Sequence, residues 1–354
     1  MRIVFAPDSF KGSIDARSAA AELASGWREV RPADELILLP QADGGEGTLD
    51  AISAALPNSQ RFSAGMVAGP DGRKTPGEWL QLANGTAIVE LAQCAGIGLM
   101  ARLDAMRASS RGLGEVIRAA VEAGAEALVI GLGGSASTDG GAGALSALGL
   151  KLTDARDNSV RDGGAGLANI VSAEPSGLIS PPPGGVTLLA DVTTPLLGTL
   201  GSAAIFGPQK GASATECALL DKGLSHFARL VGGDPTASGS GAAGGTAFGF
   251  ATFWNAQTIS GAAYIAELTG LTSAGADVIL TGEGRFDEQS LMGKVVGNAL
   301  RLSARVGVVA GQVAIQTDAW TISLSTLAGS TQAALATPRV WLRRAGAQAA
   351  RDLA

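Results

Sequence analysis

Asp277-Val278-Ile279-Leu280-Thr281-Gly282-Glu283-Gly284-Arg285-Phe286-Asp287-Glu288-Gln289-Ser290 is the stretch on which the reading of this chain turns. Residues 278–280 are a short apolar run of the kind that forms a buried strand. Residues 281–290 read as a glycine-rich turn that closes with Gly293-Lys294. An amphipathic segment follows, with Leu291, Val295 and Leu302 on one side. The order is strand, turn, helix, and the turn carries Glu283, Asp287, Glu288, Arg285 and then Lys294. In open α/β sheets ligands bind beyond the carboxyl ends of the strands. One charged turn of this kind is most simply a solvated loop; a set of them is a candidate site.

The chain holds such a set. Residues 2–6 read as a strand and lead into Asp8-Ser9-Phe10-Lys11-Gly12-Ser13, then a helix to Val30 with Ala20, Leu23, Trp27 and Val30 on its apolar face and Pro32 past its end. A strand over 36–39 leads into Ala42-Asp43-Gly44-Gly45-Glu46-Gly47-Thr48 and a helix over 49–56. This βαβα rhythm implies a parallel sheet covered by helices. After residue 60 the rhythm changes. Gly69-Pro70-Asp71-Gly72 separates two β-like runs and predicts antiparallel pairing, followed by a strand over 87–90. A helix over 113–123 closes at Gly124. The strand 127–130 then feeds Gly131-Leu132-Gly133-Gly134-Ser135-Ala136-Ser137-Thr138-Asp139-Gly140-Gly141-Ala142-Gly143. Residues 172–185 read as a proline-rich loop, and the strand 186–190 ends at Asp191-Val192-Thr193. Phe206-Gly207-Pro208-Gln209-Lys210-Gly211-Ala212 is a further turn before a helix. From Asp277 the βα rhythm returns, with strands over 278–280, 306–309 and 321–324 and a last helix opening at Thr337-Pro338. The expected architecture is α/β: residues 1–62 and 274–354 form one domain, and 63–273 form a second α/β domain inserted into it.

Composition narrows the function classes. The chain has 354 residues and a formal net charge of −6, which argues against a nucleic-acid surface. No apolar run approaches the roughly 20 residues of a membrane span, and the N-terminus lacks a secretion signal. Two cysteines, Cys94 and Cys217, are too few for a disulfide framework, so the expectation is a reduced, cytoplasmic protein. The single histidine, His226, excludes a two-histidine zinc site and reads as an ordinary boundary residue beside Leu220, Leu224, Phe227 and Val231. Of six lysines, three (Lys11, Lys210 and Lys294) fall in glycine-rich turns of a chain that otherwise prefers arginine. A lysine is a compact point charge suited to phosphate.

Glycine-rich strand-to-helix turns expose backbone N–H groups where an anion is welcome. The 131–143 segment is the most developed of them, with hydroxyls at Ser135, Ser137 and Thr138. The chain carries no standard nucleotide fingerprint: its Gly-Lys pair, Gly293-Lys294, is followed by Val295 and is not a P-loop, and Gly131-Leu132-Gly133 has no acidic ribose ligand at the expected spacing. Asp43, Glu46, Asp139, Asp191, Glu283 and Asp287 all follow expected strands. Magnesium takes one or two carboxylates together with phosphate oxygens, and phosphoryl transfer asks mainly for positioning and charge neutralisation. The inventory suits that chemistry better than hydride or acyl transfer.

These motifs, in this order, make the chain resemble the bacterial type I glycerate kinases, the glycerate 2-kinases. The matching segments are 6–13, 42–48, 131–136 with 139–143, 191–193, 206–212, 241–245 and 281–285 with Asp287. The chain departs from the family pattern at Val295-Val296, where a proline often follows the lysine, and around Ala310-Gly311-Gln312-Val313. The resemblance implies two α/β domains, one discontinuous and Rossmann- or flavodoxin-like, with the active site in the cleft between them. It implies ATP- and Mg²⁺-dependent phosphorylation of D-glycerate to 2-phosphoglycerate by a monomer or homodimer, with no nucleic-acid or membrane partner. On this reading Asp8, Lys11, Asp191 and Lys294 are catalytic candidates, with Asp8 as base. Ser9, Asp43, Arg285 and Asp287 are substrate-binding candidates. Gly133, Gly134, Ser135, Asp139, Gly140, Gly141, Lys210 and Glu283 are nucleotide-binding candidates, and Asp191 and Asp287 are candidate metal ligands. Alternatives are a kinase giving the 3-phosphate or acting on another small hydroxy acid, and a non-catalytic glycerate- or nucleotide-binding regulator.

Overall fold

The computed structural model describes residues 1–302 and 304–354, which fall into two compact units. One comprises Met1–Asp43, Gly47–Pro57 and Ser260–Ala354; the other comprises Gly44–Glu46 and Asn58–Ile259. In chain order the strands of the first passage are β1 (Arg2–Pro7) and β2 (Glu35–Leu38). The second unit contributes β3 (Gln60–Ala68), β4 (Lys74–Gln81), β5 (Thr86–Glu90), β6 (Ala127–Gly131), β7 (Lys151–Thr153), β8 (Ser172–Glu174), β9 (Val186–Leu189) and β10 (Gln257–Ile259). The chain then returns to the first unit with β11 (Val278–Phe286), β12 (Arg305–Val313) and β13 (Trp320–Ser323).

The sheet of the first unit is parallel throughout, in the order β13-β12-β11-β1-β2. The chain moves from β1 to β2 on one side and fills the other side with β11, β12 and β13. This is a doubly wound order whose direction reverses between β1 and β11. Alternation along β1 serves two cores. Ile3 and Phe5 pack with Leu23, Trp27 and Leu342 from helices Ala16–Val30 and Pro338–Asp352. Val4 and Ala6 pack on the other face with Ile279, Ala299 and Val306.

Those two helices meet backbone to backbone. A Cβ added at Gly26 would lie 1.8 Å from the Arg343 carbonyl oxygen, and one at Gly346 would lie 2.1 Å from that of Leu23. Glu22, largely buried at the same seam, accepts from Arg339 at 3.3 Å and Arg343 at 2.8 Å. The Ala16–Val30 helix starts where the Asp15 carboxylate accepts from the Ser18 N–H at 2.8 Å, which satisfies one of its unpaired N-terminal donors. The last helix carries Pro338 in its first turn after Thr337, as the sequence predicts.

The second unit has a mixed six-stranded sheet in the order β10-β9-β6-β5-β4-β3. The β3–β4–β5 ribbon is antiparallel and the remainder parallel, which matches the change of rhythm after residue 60. Trp79, Val89, Leu113, Ile130, Leu188 and Phe250 belong to one core, and Leu145, Leu220, Leu224 and Phe227 to another. The half-buried His226 holds its Nε2 at 2.6 Å from the Ile170 carbonyl oxygen, a boundary contact. Cys94 and Cys217 are free, and burial pushes both thiols up.

Three local expectations need correction. Residues 281–286 are strand, not turn: β11 keeps its parallel register with β12 as far as Phe286↔Val313. Gly282 serves close backbone approach there, since a Cβ on it would lie 2.1 Å from the Val309 carbonyl oxygen. The segment after Asp287 is two short helices, Glu288–Leu291 and Val295–Ala299, rather than one amphipathic helix. Gly293 at φ +101° separates them, and Leu291 is exposed. The proline-rich stretch 172–185 opens with β8, which pairs antiparallel with β7.

Candidate functional site

The carboxyl ends of β1 and β11 adjoin where the sheet of the first unit reverses direction, and a cavity of about 390 Å³ opens there. The loop after β1 supplies Asp8, Ser9, Phe10, Lys11 and Ser13; Asp43 comes from beyond β2; the end of β11 and its loop supply Glu283, Gly284, Arg285, Asp287, Gln289 and Lys294. Gly311, Leu324, Ala334, Leu335 and Pro338 form the apolar wall. The structure thus brings together eight of the residues singled out in the sequence: Asp8, Ser9, Lys11, Asp43, Glu283, Arg285, Asp287 and Lys294. No sequence motif marks the apolar wall. Its residues carry no chemistry of their own; Gly311 lies on β12 and the other four follow β13, so only the packing of this last passage brings them to the edge.

The acids of the cavity are under electrostatic pressure. The Asp8 N–H donates to the Gly282 carbonyl at 2.8 Å, which ties the end of β1 to β11. Its carboxylate accepts the Ser9 N–H at 2.6 Å. Burial, then the Asp43 charge, raise the Asp8 pKa well above the ordinary carboxylate range, with Lys11 opposing. Burial likewise lifts Glu283 to about 7, against the pull of Ser290 and Lys294. Asp287 caps the helix that follows it, accepting from the Gln289 N–H at 3.0 Å, and lies 3.3 Å from Arg285 Nε. Two buried atoms, Ser9 Oγ and Glu283 Oε1, have no hydrogen-bond partner among the described residues. Lys11 and Lys294 make no ion pair among the described residues. Buried polar groups without partners are uncommon in folded proteins, and here they share a cavity with unpaired cations.

The other candidates, Gly133, Gly134, Ser135, Asp139, Gly140, Gly141, Asp191 and Lys210, lie in the second unit. The half-buried Asp191 stands two residues beyond β9. The 131–143 loop is braced at several points. The Gly133 N–H donates to the Gly44 carbonyl at 3.0 Å, that of Ala136 to Ala95 at 3.0 Å, and that of Gly140 to Gly244 at 2.9 Å. Gly244 belongs to a run of three left-handed residues, Ala243, Gly244 and Gly245, and a Cβ on it would lie 2.1 Å from the Ser137 carbonyl oxygen. Asp139 is fully buried and faces its own loop: it accepts from the Ser110 N–H at 2.9 Å, the Ser110 hydroxyl at 2.8 Å and the N–H groups of Gly141 and Gly143. No sequence signal marks Ser110, 29 positions away. Lys210, 3% exposed, donates to Ser135 Oγ at 3.0 Å and to the Ser137 carbonyl oxygen.

No three His, Cys, Asp or Glu side chains are grouped as a metal cage among the described residues, and none of the described helices is long and apolar enough to cross a membrane. Comparison with known proteins supplies the family. The profile of the glycerate kinase family matches residues 3–354. A glycerate 2-kinase of Escherichia coli is 40% identical over 306 residues, 83% of this chain and 80% of its own length. A glycerate kinase of Bacillus subtilis is 38% identical over 305 residues, again 83% of this chain and 79% of its own length. The crystal structure of a protein assigned as glycerate kinase 2 from Salmonella typhimurium LT2 superposes with a TM-score of 0.81 at 36% identity, covering 100% of this chain and 98% of that one.

Proposed function

Since the chain belongs to the glycerate kinase family, we propose that it transfers the γ-phosphoryl group of ATP to D-glycerate and forms 2-phospho-D-glycerate. The observation that carries this reading is the cavity at the β1/β11 edge, where buried acids with raised proton affinity stand beside cations without ion pairs. A small hydroxy acid presents a carboxylate and hydroxyls. Lys294 and Arg285 are the groups for the carboxylate, and Ser9 Oγ, buried and unpartnered, is a group for a hydroxyl.

Phosphoryl transfer needs the acceptor hydroxyl oriented and relieved of its proton as its oxygen attacks phosphorus. Asp8 is placed for that work. Ionised Asp8, its pKa pushed up to about 8, is a stronger base than an ordinary carboxylate, and the step runs from the fraction that has released its proton. The hydroxyl oxygen forms the new P–O bond, its proton passes to Asp8, and ADP leaves with the electrons of the broken bond. Lys11 offsets charge beside Asp8. In the second unit the 131–143 loop is the proposed cradle for the polyphosphate, with Lys210 behind it. Asp191 and Asp287 are the carboxylates proposed to meet magnesium. Magnesium, when bound, would supply charge neutralisation on the phosphates.

The test is one reaction of the purified protein with ATP, Mg²⁺ and D-glycerate, followed by phosphorus and proton NMR of the product. A 2-phosphate ester supports the proposal. A 3-phosphate ester keeps the kinase and overturns the position. Absence of product, with nucleotide bound, overturns the acceptor.

A further inference from the structure

Lys210 is a lysine in an uncommon position. It is 3% exposed and makes no ion pair among the described residues. A buried ammonium is costly unless its charge is used. Two of its three N–H groups are engaged, one by Ser135 Oγ and one by the Ser137 carbonyl oxygen. The acceptor on Ser135 matters chemically. An ammonium can only donate, so Ser135 Oγ must accept from it, and the hydroxyl hydrogen of Ser135 is left to point elsewhere. Ser135 is buried and bridges antiparallel to Gly96, while its neighbour Gly134 is exposed at φ +73° and marks where the 131–143 loop reaches the surface. The pairs that brace the loop engage the N–H groups of Gly133 and Ala136; those of Gly134 and Ser135 have no partner among the described residues. Farther along, the buried hydroxyls of Ser137 and Thr138 also have none.

We propose that Lys210 is a positioning residue that fixes the Ser135 hydroxyl as an outward donor and, with the Gly134 and Ser135 N–H groups, makes the tip of this loop a seat for a phosphate-type anion. The ligand class is a polyphosphate, and the inference rests on the reading of the loop as the nucleotide cradle. Lys210 acts through Ser135 and through its field, without touching the ligand. Burial pulls its pKa down to about 8, opposed by Asp139. Asp139 is the charged group that acts on it, while the nearby Arg111 and Asp162 pair with each other. An anion at the tip favours the charged lysine, so binding near pH 8 draws a proton onto the protein.

Isothermal titration with inorganic tripolyphosphate and with ADP, near pH 8 in two buffers of different ionisation enthalpy, tests this. The wild-type protein is expected to take up a fraction of a proton on binding either ligand. Lys210→Met is expected to take up none and to bind at least tenfold more weakly, with an unfolding midpoint no lower than wild type because a neutral side chain replaces a buried charge. Ser135→Ala is expected to weaken binding similarly, and the double variant to be little worse than either single one, as for groups acting in series. Unchanged affinity in Lys210→Met, or proton uptake that persists in it, overturns the relay and leaves the loop assignment standing. Failure of the wild-type protein to bind either ligand overturns the loop assignment and the relay with it.

Discussion

Replacing Asp8 by asparagine separates what the site costs the fold from what it does. Asp8 is buried and its proton affinity is raised, first by burial and then by Asp43. The folded protein therefore holds a proton that the unfolded chain has already released above the ordinary carboxylate pKa. In that window the native state binds more protons than the unfolded state, so stability falls as pH rises, by about 1.4 kcal/mol per pH unit for one full proton. Between about pH 5 and about pH 7 this amounts to roughly 2–3 kcal/mol. Asp8→Asn keeps the shape and removes the titration, so the variant should gain that much on wild type across the interval while its turnover falls at least about a hundredfold, the scale of a lost general base. Urea unfolding at three pH values, followed by the fluorescence of Trp27, Trp320 and Trp341 of the same unit in a background with Trp79 and Trp254 of the other unit replaced by phenylalanine, gives the difference directly, and other titrating groups largely cancel in it. A variant-minus-wild-type difference that stays flat between those pH values would refute the reasoning, because it would mean that Asp8 titrates as an ordinary exposed carboxylate.

Lys294→Met should raise the KM for glycerate about 10- to 100-fold, the loss of one charge-assisted hydrogen bond, with the KM for ATP little changed; steady-state kinetics in both substrates checks this. Gly244→Ala places a Cβ 2.1 Å from the Ser137 carbonyl oxygen at φ +68°, so nucleotide binding should be lost while the far-UV circular dichroism is kept, and wild-type ADP affinity would count against the bracing role of 243–245. Gly26→Ala forces two helices apart against the Arg343 carbonyl and should cost about 3 kcal/mol or more, at the upper end for overpacking, read as a lowered unfolding midpoint.

The elements that were legible in the sequence are those whose signals are local. The Ala16–Val30 helix announced itself by its apolar face and by Pro32, the last helix by Thr337-Pro338, and the antiparallel ribbon by Gly69-Pro70-Asp71-Gly72. What misled was glycine. At 281–285 it reads as turn chemistry, yet Gly282 is there because β12 runs close beside β11. A glycine that permits φ > 0 and one that permits close approach look alike in a sequence. In the loops, the charged residues could be picked out but not their orientation. Asp139 spends its carboxylate on Ser110 and its own loop, whereas Glu283 keeps an oxygen unpartnered, and both follow a strand and precede a helix. Long-range packing decides between them, and no periodicity encodes it.

The pairing of β1 with β11 joins residues separated by about 275 positions, as in Ile3↔Val278. On a ribosome, β1 waits for its central neighbour until the chain is nearly finished, and closing so long a loop makes the contact late and slow. Most of the second unit is the continuous stretch Asn58–Ile259, so it can fold first, as domains do during synthesis. A nascent chain stalled near residue 300, with β11 still held in the ribosome, should carry a protease-resistant second unit while Ile3, Val4 and Phe5 remain open to cleavage. The cavity built on β1 and β11 is then the last part of the protein to form, and the C-terminal passage that completes the sheet is also what switches the site on.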